Sequence, residues 1–151
     1  MDDRYGGERT VSDLGASLVL WFDGSVRYGP DNAAPQRAAI GYVIEEAKPL
    51  VEGSQELSTF VSNTHVELRA LLAGVQAVAE LREHRRVSGV HVCGDAEAVI
   101  DTVDPARETT VDDGISRQRT ERIHEMLAPV PQTTYRCVSR HRNERAHELA
   151  T

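Results

Sequence analysis

At 151 residues the chain is expected to form one domain, long enough to bury a core without disulfides or a structural metal. No stretch approaches the ~20 apolar residues of a membrane span, and Met1 to Ser12 is too polar and acidic for a signal peptide, so a cytoplasmic protein is the default expectation. The net charge is −7, and of seventeen basic residues only Lys48 is a lysine, the wrong sign for a surface that binds phosphate non-specifically. Two readings stay open: either the partner is not nucleic acid, or the acidic surface serves solubility at high salt while a local arginine cluster does the binding.

Residues 1–15 show no periodicity and read as a flexible lead-in; residues 16–151 read as the folded unit. Ser17 to Asp23 is apolar on both alternate faces, the pattern of a central strand covered on both sides. A loop from Gly24 to Pro35 follows. Arg37 to Glu46 and Leu50 to Val61 read as a second and third strand, with Pro49 at the turn between them. Short connections make these three an antiparallel meander.

From Thr64 to about Arg82 the period turns helical, with Leu68, Leu71, Leu72, Val75 and Ala79 on one stripe. Val87 to Cys93 is a fourth strand, Ala96 to Val103 a short helix, and Asp104 to Ser116 an acidic loop. Ser116 to Leu127 reads as a helix, Thr133 to Ser139 as a fifth strand and Asn143 to Ala150 as a final short helix. Helical crossovers force strands one, four and five to run parallel, which predicts an α/β fold: a mixed five-stranded sheet with helices on both faces. Cys93 and Cys137 lie in apolar runs without metal-binding spacing and read as free thiols.

Three carboxylates draw attention. Asp23 ends the first strand, Asp95 follows the fourth, and Glu67 opens the helix between them. The carboxyl ends of neighbouring parallel strands face a common crevice. Acids converging there would repel one another unless a cation neutralised them, which points to Mg2+ or Mn2+. Each has a plainer reading. Asp23 with Gly24 can start a tight turn; Thr64 to Glu67 is a complete capping box; Asp95 can cap the helix that begins at Ala96. Trp21, mid-strand, reads as core.

Taken together, Asp23-Gly24-Ser25 after an apolar strand, Ser62-Asn63-Thr64-His65-Val66-Glu67-Leu68 opening a helix, Gly94-Asp95 after strand four, and the segment Val138 to Ala150 resemble the type 1 ribonuclease H family. The resemblance runs in order over roughly residues 17–150. It is nearest to the compact archaeal and plant-type members that lack a basic protrusion. The resemblance implies a ribonuclease H-like fold and hydrolysis of the RNA strand of RNA–DNA hybrids with two Mg2+ or Mn2+ ions. Double-stranded RNA is a further possible substrate, and the protein is expected to be a monomer.

Carried over by motif, Asp23, Glu67 and Asp95 would hold metal, and His147 stands where the family usually places a fourth carboxylate. An imidazole there would favour Mn2+ over Mg2+ as a partner, or Glu144 would substitute for it. His141 falls where some members keep a catalytic histidine. Gly24, Ser25, Ser62, Asn63, Arg140, Arg142 and Asn143 would contact the substrate, with Ser62 and Asn63 reading the 2′-OH and the arginines holding phosphate. The plainer reading makes His147 an ordinary helix residue and Arg136, Arg140, Arg142 and Arg145 a solvated rim paired with Glu144 and Glu148. A catalytically silent RNA- or hybrid-binding module is the alternative to the enzyme.

Overall fold

The computed structural model describes residues 15–28, 35–59, 62–107 and 113–151. Five strands, β1 (Ala16–Tyr28), β2 (Pro35–Glu45), β3 (Pro49–Leu57), β4 (Val87–Gly94) and β5 (Gln132–Cys137), form one sheet in the order β3-β2-β1-β4-β5. β1 to β3 pair antiparallel, and β4 and β5 run parallel to β1. The helices are α1 (Asn63–Arg82), α2 (Glu97–Val103), α3 (Gly114–Leu127) and α4 (Glu144–Leu149), the last preceded by a 3-10 turn at Arg140–Asn143. The α/β architecture and mixed five-stranded sheet expected from the sequence are both present.

Alternation along β1 sets the two faces. Leu18, Leu20 and Phe22 are fully buried on the side of α1, with Val66, Leu68, Leu71 and Val75 of that helix in the same core. Each such side chain withdrawn from water is worth about 1.5–3 kcal/mol, so this layer dominates cohesion. Gly74 lets α1 approach: a Cβ there would lie 2.6 Å from Leu20 Cδ1. The opposite face carries Trp21, Asp23 and Ser25, paired with Val43, Gly41 and Ala39 of β2, and is covered in part by α4.

Gly15 enters β1 with φ +91°, a backbone that favours glycine, and Ala16 N donates to Arg86 O at 2.8 Å. Cys93 and Cys137 are free thiols. Among the described residues no helix is long and apolar enough to cross a membrane.

Several boundaries differ from the sequence reading. β1 continues five residues past Asp23, because Gly24 to Arg27 pair with Ile40 to Arg37 rather than turning away. Of the expected loop from Gly24 to Pro35, residues 29–34 lie outside the described residues. Pro49 pairs with Glu45 at the start of β3, so the turn is confined to Glu46–Lys48. β3 ends at Leu57, and residues 60 and 61 lie outside the description. So do residues 1–14 of the lead-in and 108–112 of the acidic loop; α3 then starts at Gly114, capped by Asp113, whose carboxylate accepts from Ser116 N at 2.7 Å.

Candidate metal centre

The last pair between β1 and β4 is Trp21 with Cys93. Beyond it β4 ends at Gly94 and leads into Asp95 while β1 runs on, so β1 has an open edge on that side at Phe22. The carbonyl freed there accepts from Asn143 Nδ2 at 2.8 Å, which fastens the turn after β5 to the central strand. Expected to touch substrate, Asn143 is instead buried, 1% exposed, and acts as this clasp.

Into the opening project Asp23, Glu67 and Asp95. Each offers an oxygen, and these atoms all lie within 4.8 Å of one another. Asp23 is 1% and Glu67 8% exposed. Gly24 N donates to Glu67 Oε1, so the helix acid is aimed from β1 and does not fold back on Thr64. The capping box fails for that reason, and Ser62 caps α1 instead, accepting from His65 N at 3.2 Å. Nor does Asp95 cap α2: Ala96 occupies that position with no side-chain bond.

The electrostatics mark the cluster as incomplete. Burial, then the Asp23 charge, push Glu67 up to about 9 from an ordinary 4.5. The same two causes, in that order, raise Asp95. Glu67 Oε2 and Asp95 Oδ2 are buried without hydrogen-bond partners; Arg140 Nε stands 3.9 Å from the latter, an ion-pair distance only. Clustered carboxylate oxygens with unfilled lone pairs fit a hard divalent cation, which prefers oxygen ligands.

An open cleft of ≈ 410 Å3 surrounds the cluster, lined also by Gly24, Ser25, Val26, Asn63, Ala96, Arg140 and His147. His147 Nδ1 lies 2.8 Å from Asp23 Oδ2. Ser25 Oγ is turned from the cleft by its bond to Ala150 O. Arg142 does not line the cleft; it shares a separate recess with Trp21, Glu45 and Arg145. Trp21, expected in the core, is half-buried there and donates from Nε1 to Glu45 Oε1 at 2.9 Å. His141 and Glu144 are exposed and outside the cleft lining. Arg145 pairs with Glu148 at 3.0 Å and with Glu52 at 2.8 Å, a rim contact for which β3 gave no signal in sequence.

Comparison with known proteins gives a consistent picture. A family model described as reverse transcriptase-like matches residues 22–151. Among solved structures, ribonuclease H1 from the halophilic archaeon Halobacterium salinarum is 26% identical with a TM-score of 0.74, covering 89% of this chain and 95% of that one. The N-terminal ribonuclease H domain of a Mycobacterium tuberculosis protein is 23% identical with a TM-score of 0.77, covering 90% and 91%. A ribonuclease H1 isolated from compost, solved in complex with an RNA/DNA hybrid, is 21% identical with a TM-score of 0.76, covering 89% and 94%. A search of curated proteins found no match.

Proposed function

The chain belongs to the reverse transcriptase-like family, and from that membership we propose that it is a ribonuclease H, a metal-dependent nuclease that hydrolyses the RNA strand of RNA–DNA hybrids. The observation that carries the proposal is the buried triad Asp23, Glu67 and Asp95, with two unpartnered oxygens beside an open cleft. Two divalent cations, Mg2+ or Mn2+, would supply an activated water and neutralise charge on the phosphate.

The protein's own groups divide the remaining work. Asp23, Glu67 and Asp95 would hold the cations, with Glu67 aimed by the Gly24 amide. Arg140, exposed beside Asp95, offers its guanidinium to a phosphate. Asn63 faces the cleft from the start of α1 and donates to the RNA strand, Gly24 presents backbone to it, and Ser62 acts by capping that helix. His147 lines the cleft and bears on Asp23. Arg142 and His141, lying outside the cleft, serve at most the flanking duplex. The compost enzyme's hybrid complex supports this substrate class, and the acidic composition is compatible with it because Arg140 sets a guanidinium at the cleft itself. We take the protein to act as a cytoplasmic monomer, with double-stranded RNA as a lesser substrate.

The resemblance favours a second reading, a hybrid-binding module without turnover: His147, which pairs with Asp23, stands where the family usually places a fourth carboxylate. A single assay separates the two. Labelled hybrid, double-stranded RNA and double-stranded DNA are incubated with Mg2+ or Mn2+ and with protein or its Asp23→Asn and Asp95→Asn variants. The ribonuclease reading expects cleavage of hybrid by the native protein and a loss of at least ~10²–10³-fold in either variant, as when a transition-state charge contact is removed. Binding without cleavage in both metals would leave the binding module.

A further inference from the structure

We propose that Tyr28 is a positioning residue for RNA recognition, holding the Asn63 amide so that it presents donors, and no acceptor, to the RNA strand. The inference rests on the ribonuclease H reading above and names a recognition element within it.

β1 overshoots the acidic cluster and ends at Tyr28, and the pairing with β2 slips between Arg27 and Tyr28. The extra residue lies on β2, so β1 keeps its alternation through Tyr28. Phe22, Gly24, Val26 and Tyr28 alternate onto the face that carries α1, so the tyrosine comes to lie against the first residue of that helix. Its hydroxyl donates to Asn63 Oδ1 at 3.2 Å. A carboxamide has one acceptor and two N–H donors. With the acceptor engaged by Tyr28, Nδ2 is the end left to meet a ligand, and Asn63 lines the cleft.

The chemical consequence is selective. A donor fixed at the cleft wall pairs with the 2′-oxygen of ribose, which a DNA strand lacks. Were the hydroxyl absent, the amide would be free to rotate, and the donor would no longer be held toward the 2′-oxygen. Tyr28 is also 46% exposed, more than packing demands of so large a side chain, as befits a group held at a binding rim.

The test uses Tyr28→Phe, Asn63→Ala and the double variant. Affinity for a labelled hybrid and for the DNA duplex of the same sequence is measured by anisotropy with Ca2+ in place of Mg2+, alongside hybrid cleavage kinetics. Tyr28→Phe, which removes only the hydroxyl, is expected to weaken hybrid binding and raise KM by about three- to tenfold, the weight of one hydrogen bond. DNA binding, kcat and the melting temperature should stay unchanged. Asn63→Ala should likewise weaken hybrid binding and raise KM, and the double variant should be no worse than Asn63→Ala alone, because the two residues act as a unit. A silent Tyr28→Phe, equal losses on hybrid and DNA, or additive losses in the double variant would each overturn the proposal. If the native protein shows no preference for hybrid over DNA, the ribonuclease reading falls and takes this inference with it; if that preference stands while Tyr28→Phe is silent, only the inference falls.

Discussion

His147 Nδ1 lies 2.8 Å from Asp23 Oδ2, in a pair that joins α4 to the central strand at the centre of the acidic cluster. With the carboxylate as acceptor, the imidazole donates from Nδ1, and only Nε2 keeps a lone pair. The histidine expected as a fourth ligand therefore has one nitrogen engaged by Asp23. Replacing it by aspartate puts a hard oxygen donor in its place. Because Mg2+ favours such donors, His147→Asp should raise cleavage in Mg2+ and reduce the advantage of Mn2+ by about tenfold, the scale on which partners of metal ligands act. An unchanged ratio of rates in the two metals would place His147 outside the metal's influence.

Glu67 gives the metal-free protein a defined pH dependence. Its folded-state pKa is pushed up to about 9, chiefly by burial, against an ordinary 4.5. Between those limits the folded form keeps a proton that the unfolded chain has released. Stability is therefore full at about pH 4.5 and is lost as pH rises toward about 9. Thermal melts in EDTA should fall across that window, and Glu67→Gln, which cannot ionise, should flatten the fall. Adding Mg2+ to the native protein at neutral pH should release protons, measurable by calorimetry in buffers of different ionisation enthalpy. Equal pH slopes for the native protein and Glu67→Gln would contradict this account.

Gly41 sits directly opposite Asp23 in the β1–β2 register. A Cβ there would lie 2.5 Å from Ala146 O and 2.7 Å from Leu149 Cβ. The missing side chain is what lets α4 settle close enough to bring His147 to Asp23. Gly41→Ala should cost about 1–3 kcal/mol by overpacking and should shift the NMR resonances of the His147 ring. A variant as stable as the native protein would show that α4 has slack.

Salt should stabilise the fold while weakening its grip on nucleic acid. Raising ionic strength from about 0.1 M to about 1 M shortens the screening length from about 10 Å to about 3 Å, relieving repulsion within a chain of net charge −7. The same change removes the counterion-release advantage of binding a duplex. The melting temperature should rise over this range as hybrid affinity falls; a flat or falling melting curve would show that the acidity is no adaptation to salt.

The order of strands and helices was legible because period-2 and period-3.6 patterns report which face of an element is buried, and here they switch cleanly at Thr64 and Val87. The three acids were legible because each adjoins an apolar run, and the order of strands and helices brings those runs to one end of the sheet. What escaped notice depends on partners far along the chain. Gly24 and Ser25 carry turn chemistry, yet pairing with β2 keeps them in a strand. Thr64 to Glu67 satisfies the capping pattern, but the Gly24 amide claims the carboxylate. Asn143 has the look of a surface polar residue, and only a carbonyl 121 positions away in sequence explains its burial.

That last bond also orders events in time. Asp23, Glu67 and Asp95 belong to elements made early in synthesis, whereas the clasp on Phe22 and the imidazole on Asp23 come from residues 143 and 147. On a ribosome adding about 5–20 residues each second, the nascent sheet can gather its acids before the segment that seals the β1 edge exists. The Phe22 clasp and the His147–Asp23 pair can therefore form only after the elements that carry the three acids have been made.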